Sequence, residues 1–157
     1  MIPSFKKTAA LLAAALLVLN LAAAAPAKAR YVSSYIRTWG LGSTQEEIDK
    51  GSHWSAEDVR GEYLTDLIIA FAHIDQTSWG IFFPDADSAE HPFPGLWTEV
   101  AKLQKKYPSL KIHVSVGGWG ADGFSEMAAD VAKRAAFVKS LCVLLEEKKI
   151  DGIDIDW

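Results

Sequence analysis

Asp154 and Asp156 stand at alternate positions of the run Asp151-Gly152-Ile153-Asp154-Ile155-Asp156-Trp157, which ends the 157-residue chain. In an extended strand, residues i and i+2 project from the same face, about 6.5 Å apart along the chain. Ile153, Ile155 and Trp157 therefore share one face, and the two carboxylates share the other. A fully apolar environment would neutralise such a pair, so the acidic face is expected to line a polar cavity. Asp151 lies three residues before Asp154 and cannot share its face, which fits a capping role at the strand entrance better than chemistry.

A pair of carboxylates can hold a metal ion, serve a phosphate site, or accept hydrogen bonds from hydroxyl and amide groups. A calcium loop of the EF-hand type would need a Gly after its third acidic ligand, and none is there. Hydrophobic-Asp-x-Asp also opens some phosphatase motifs, but those continue with Thr or Val where this chain has Trp157. His53, His73, His91 and His113 show no ligand spacing. No metal and no other cofactor is expected.

The elements that must position these side chains alternate. Tyr31 to Trp39 is rich in β-branched and aromatic residues and reads as a first strand. Gly40 to Ser55 is a turn-rich loop, and Ser55-Ala56-Glu57-Asp58 has the composition of a helix start. Leu67 to Ile74 is a nearly continuous apolar run, as in strands buried on both faces of a parallel sheet. Gln76 to Pro94 reads as a loop. Gly95 to Tyr107 has helical spacing, with Leu96, Val100 and Leu103 on one side and Pro108 closing it. Lys111 to Val116 is a third strand, followed by Gly117-Gly118-Trp119-Gly120. Asp130 to Lys149 is an amphipathic helix with Val131, Phe137, Val138, Leu141, Leu144 and Leu145 inward. Cys142, the single cysteine, falls in this stretch and is expected to be buried and inert. Ile150 to Trp157 is the fourth strand.

Strand and helix in strict alternation predict an α/β fold with a parallel sheet and helical crossovers. The unit length suits the first half, about four strands, of a (β/α)₈ TIM barrel, which needs about 250 residues. A doubly wound open sheet is the rival, but its Gly-rich phosphate turn after the first strand is absent. In parallel barrels the sites collect at the C-terminal strand ends. Those ends carry Tyr35 and Trp39, Phe71 to Asp75, Gly117 to Trp119, and Asp154 to Trp157. Flat aromatic faces pack on sugar rings, and carboxylates bind hydroxyl and N–H groups. Phosphate chemistry would instead call for Arg, Lys or a helix N-terminus. Read singly, Trp39, Phe71 and Trp119 are more often core residues than ligand platforms, and the main alternative for Gly117 and Gly118 is that they simply end a strand. Trp54, Trp79 and Trp97 receive no role.

Ser115-Val116-Gly117-Gly118-Trp119 and Asp151-Gly152-Ile153-Asp154-Ile155-Asp156-Trp157 resemble the two signature motifs of glycoside hydrolase family 18, the chitinase family. Tyr35 four residues before Trp39, and Ala70-Phe71-Ala72, are similar to that family too. The resemblance covers nearly all of residues 30–157. It implies hydrolysis of β-1,4-linked N-acetylglucosamine polymers by a retaining, substrate-assisted mechanism. Asp154 and Asp156 would be catalytic, Tyr35, Phe71, Gly118 and Trp119 would meet substrate, and Asp151 and Gly117 would serve the motif's structure. The family pattern continues Asp-x-x-Asp-x-Asp-x-Glu, which puts its general acid at position 158. Residues 1–157 are therefore expected to be an inactive N-terminal part of the barrel. A chitinase-like lectin that replaces the Glu, and an endo-β-N-acetylglucosaminidase acting on N-glycans, remain alternatives.

Residues 1–29 read as a secretory signal peptide. Lys6 and Lys7 open it, an Ala-rich apolar run to Ala25 follows, and Ala25-Pro26-Ala27 and Ala27-Lys28-Ala29 offer cleavage sites. The run is short and Ala-rich for a membrane anchor. This segment holds Lys6, Lys7 and Lys28 and no acid, so its removal would shift the formal charge from −4 to −7. An acidic, exported protein is a poor partner for nucleic acid or an anionic membrane. Chitin or another N-acetylglucosamine-containing glycan is the expected partner, and the secreted space (extracellular or periplasmic) the expected location.

Overall fold

The computed structural model of the chain describes residues 30–40, 44, 46, 53–86 and 93–157. The expected signal peptide and most of the 41–52 loop lie outside the described residues. Four parallel strands form the frame: β1 (Ser33–Arg37), β2 (Asp66–Ile74), β4 (Lys111–Gly117) and β5 (Gly152–Asp156). They lie side by side in the order β1-β2-β4-β5. Each new parallel strand adds beside its predecessor, with no reversal of order. That progression is the first half of a (β/α)₈ barrel and excludes a doubly wound sheet, whose order reverses at a switch point.

The two central strands, β2 and β4, are apolar runs buried over most of their length. Leu67, Ile69, Ile112 and Val114 are buried on one face, with α1 (Leu96–Lys106) supplying Leu96, Val100 and Leu103 to the same core. α1 is an amphipathic helix whose basic last turn, Lys105 and Lys106, complements the carbonyl end of its dipole. The second crossover contains two helices, α2 (Phe124–Ala129) and α3 (Val131–Lys148). Asp130 separates them: its extended backbone ends α2, and its carboxylate accepts from the N–H groups of Ala132 and Lys133 at the start of α3.

Several sequence expectations change. The segment 76–94 is not loop throughout: β3 (Ile81–Phe82) pairs antiparallel with the end of β2, His73 opposite Phe82 and Ile74 opposite Ile81. A two-residue strand has too few positions to show a period. Ser55 opens a single turn and not a helix. Its N–H and Oγ both donate to Asp58, the Ala56 N–H is taken by Glu99, and Gly61 is pressed against the Tyr107 ring. Tertiary contacts hold this segment where local propensity would have continued a helix. On α3, Phe137 and Leu144 are buried, but Val131 and Val138 are exposed, and so is Cys142. The helix is apolar on more than one side, so periodicity alone could not choose its inward face. The side with the larger Phe and Leu took the core, and Cys142 points elsewhere.

Candidate active site

The register of the sheet decides which side chains meet. Arg37, Ala70, Ser115 and Asp154 form one row across β1, β2, β4 and β5. The next row along the chain direction of β4 and β5 is Val116 and Ile155, and the one after it Gly117 and Asp156. Alternation places Asp154 and Asp156 on the face opposite the helix-covered core, where Ile153 sits in the row of Val114 and Ile69. Tyr35, two residues before Arg37, reaches that face as well.

Asp154 is a junction. Its Oδ2 accepts from Tyr35 Oη at 3.0 Å and from Ser115 Oγ at 2.7 Å. Ser115 is fully buried, so it fixes the carboxylate from below. Tyr35 is 55% exposed and reaches it from the first strand. The hydrogen bond to Asp154, some burial, and the negative charges of Asp154 and Asp156 raise the phenol of Tyr35 above its ordinary value. Tyr35 therefore stays a proton-bearing donor. Asp156 is exposed, and among the described residues no hydrogen bond holds its carboxylate.

The two glycines after β4 are required by this geometry. A Cβ on Gly117, whose φ is +127°, would lie 2.0 Å from the Asp156 carbonyl oxygen. That oxygen accepts from the Gly118 N–H at 3.1 Å. A Cβ on Gly118, with φ +97°, would meet the Phe71 ring at 3.0 Å. The glycines thus let the ends of β4 and β5 close together and let Phe71 lie over the backbone. Phe71 itself follows a cis peptide, and the β2–β4 register slips between Ala70 and Ala72. Buried Thr38 holds it: the Thr38 hydroxyl accepts from the Phe71 N–H and donates to the Phe71 carbonyl.

The remaining expected residues are placed as follows. Trp119 is 105% exposed at the rim, just beyond the glycines. Asp151 stands before β5, where its Oδ2 accepts from the Ile112 N–H and its Oδ1 from Lys111 Nζ. Burial would raise its carboxyl, but the Lys111 ammonium and the Ile112 N–H outweigh that and hold it below the ordinary carboxylate value. Asp151 thus belongs to the strand entrance and does not share the rim. Ser115 and Thr38 join the expected site residues. The spacing of Ser115, two before Gly117, was a signal for the former; Thr38 has no local signal. Two grooves of about 530 and 570 Å³ lie on the outer side, against α3, and neither includes Asp154 or Asp156. The acidic row lies on an open surface because four strands provide no facing wall.

Residues 32–157 match the model of glycosyl hydrolases family 18. This chain belongs to glycosyl hydrolase family 18. Among family members it resembles mouse (Mus musculus) chitotriosidase-1, 35% identical over 64% of this chain and 20% of that protein. A putative chitinase 1 of Margaritifera margaritifera is 31% identical over 78% of this chain and 25% of that protein. Among solved structures, the chitinase domain of the spore coat protein CotE from Clostridium difficile aligns with a TM-score of 0.61 and 31% identity, over 86% of this chain and 32% of that one. Human YKL-39, described as a pseudo-chitinase with retained chitooligosaccharide binding, aligns at TM-score 0.64 and 24% identity, over 82% of this chain and 33% of that one, a likeness of fold. The chain thus spans a third or less of the relatives named here. Within the family, the Asp154 and Asp156 row occupies the sheet end at which barrel sites assemble.

Proposed function

We propose that the protein carrying this half-barrel is a secreted hydrolase of β-1,4-linked N-acetylglucosamine polymers, chitin foremost, acting with retention through the substrate's own acetamido group. The single observation that carries this reading is the junction at Asp154, tied to Tyr35 and Ser115 while neighbouring Asp156 keeps its carboxylate open on the same face. An open acceptor beside an anchored one suits a ligand N–H. Asp156 accepts from the acetamido N–H and turns the carbonyl oxygen towards the anomeric carbon. That oxygen attacks as the glycosidic bond breaks, giving an oxazolinium ion whose positive charge the Asp156 carboxylate stabilises. Asp154 lies beside Asp156 on the same face, held in place by Tyr35 and Ser115. Tyr35 lines the floor near the acetamido group, and Phe71 and Trp119 face sugar rings. Water then opens the ion with retained configuration.

In the family pattern, the proton for the leaving oxygen comes from a glutamate two residues after the position of Asp156. Residues 1–29 direct export and are removed in its course, and among the described residues no helix is long and apolar enough to cross a membrane. The test is hydrolysis of chitin oligomers, and of a high-mannose glycoprotein, by the complete protein and its Asp156→Asn variant. Cleavage of chitin oligomers with a loss of about 10²-fold or more in kcat for the variant is expected. Cleavage of the glycoprotein alone would make the protein an endo-β-N-acetylglucosaminidase. Sugar binding without cleavage, with a residue other than Glu after Trp157, would make it a lectin.

A further inference from the structure

Strands of a sheet satisfy their backbone groups through the ladder, and a residue that drops out of the ladder needs other partners. Phe71 is such a residue. The β1–β2 pairing ends at Arg37 opposite Ala70, and the β2–β4 pairing passes from Ala70 to Ala72. A slip of this kind re-aims one side chain and leaves its N–H and carbonyl outside the regular pattern. Thr38 serves both groups. Its hydroxyl accepts from the Phe71 N–H at 3.2 Å and donates to the Phe71 carbonyl at 3.4 Å. A hydroxyl carries one donor and spare acceptor capacity, so one side chain suffices.

Thr38 is itself held. It is 0% exposed, and its N–H donates to the Ala70 carbonyl at 2.7 Å. The carbonyl just before it, that of Arg37, accepts from Trp54 Nε1 at 2.7 Å. A β-branched side chain on a fixed backbone has few rotamers, which keeps the hydroxyl aimed at Phe71. On the opposite flank the Phe71 ring rests against Gly118, where a Cβ would meet it at 3.0 Å. The backbone of Phe71 is thus gripped from β1 and its ring is seated at the end of β4. The ring remains half-buried, with part of it open. Valine would fill the volume of Thr38 equally well; only the backbone of Phe71 calls for the oxygen.

We propose that Thr38 is a positioning residue for sugar recognition, its hydroxyl fixing where the Phe71 ring meets an N-acetylglucosamine unit. Thr38 touches no sugar and acts through Phe71 alone. Without the hydroxyl, the N–H and carbonyl of Phe71 are left without their partner, the slipped segment relaxes to find others, and the ring moves with it. This inference rests on the glycan reading above.

The experiment measures kcat/KM on N-acetylglucosamine oligomers (or the association constant, in a protein that binds without cleaving) for the complete, folded protein well below its melting temperature. The variants are Thr38→Val, Thr38→Ser, Phe71→Ala and the double variant Thr38→Val/Phe71→Ala. Thr38→Val is expected to lose about tenfold, the scale of one aromatic contact. Thr38→Ser, which keeps the oxygen, is expected to stay within about twofold of wild type, and Thr38→Val to add no more than about twofold once Phe71 is already Ala. An unchanged Thr38→Val, an equal loss in Thr38→Ser, or a full further loss in the Phe71→Ala background overturns the positioning role and leaves the glycan reading standing. Should Thr38→Val fail to fold, Thr38→Ala takes its place beside Thr38→Ser, since those two differ only in the oxygen. Failure of both to fold makes the hydroxyl a requirement of the fold and likewise overturns the role. A wild-type protein that neither cleaves nor binds the oligomers overturns both readings.

Discussion

The sheet carries one carboxylate cluster at the N-terminal ends of its strands and another at the C-terminal ends. At the first, Asp66 is 3% exposed and its Oδ1 lies 2.9 Å from Tyr31 Oη and 2.7 Å from His113 Nε2. Burial would raise that carboxyl, but Thr65, His113 and Tyr31 outweigh it and hold it below its ordinary value. At the second, Asp154 is partnered but half-buried, and Asp156 is open. The same residue type is thus spent on stability at the floor and kept in reserve at the rim. A buried carboxylate must be satisfied by the protein itself, whereas one at the rim can leave its acceptors for a ligand.

The comparison can be broken most severely at the backbone. Gly117→Ala forces a methyl into the Asp156 carbonyl at a positive φ. A loss of about 3 kcal/mol or more in denaturant unfolding is expected, with the rim lost along with it. A loss below about 1 kcal/mol would mean that the ends of β4 and β5 are not packed as described.

At the floor, Asp66→Ala strands His113 and Tyr31. A destabilisation of about 2–4 kcal/mol is expected by the same measurement, against about 1 kcal/mol for Ser115→Ala at the rim. The reverse ranking would contradict the division between the two clusters.

Acid sharpens the contrast further. The folded carboxyl of Asp66 titrates below its unfolded counterpart, near 3.9. Its stabilisation is therefore fully present above that value and is lost as pH falls through the lowered folded value. Asp66→Asn should flatten the acid limb of stability against pH, read from thermal midpoints. An unchanged limb would show that other carboxylates, Asp151 among them, carry it.

Smallest is Trp119→Ala. A fully exposed side chain contributes within about 0.5 kcal/mol to stability. The substitution is expected to leave the melting temperature in place while weakening binding of N-acetylglucosamine oligomers. A clear drop in melting temperature would mean that the ring packs on the protein and not on a ligand.

Much of this frame was legible in the chain. The order of the four parallel strands and of the two long helices α1 and α3, the inward residues Leu96, Val100 and Leu103, and the shared face of Asp154 and Asp156 all follow from periods of 3.6 and 2. What escaped was of two kinds. β3 and the single turn at Ser55 are too short for a period to register, and neighbours decide their form. The inward side of α3, and with it the exposure of Cys142, depended on which of several apolar sides met the sheet.

The amino-acid sequence by itself determined the order of the four parallel strands, the family motifs and the side of the strand on which each carboxylate stands, because alternation is a local property of an extended backbone. Only the tertiary structure decided the partners. Tyr35 meets Asp154 across 119 residues, Ser115 meets it across 39, and Thr38 grips Phe71 across 33. Register between strands sets those meetings, and register is fixed by packing the whole core at once, which no short stretch of residues encodes.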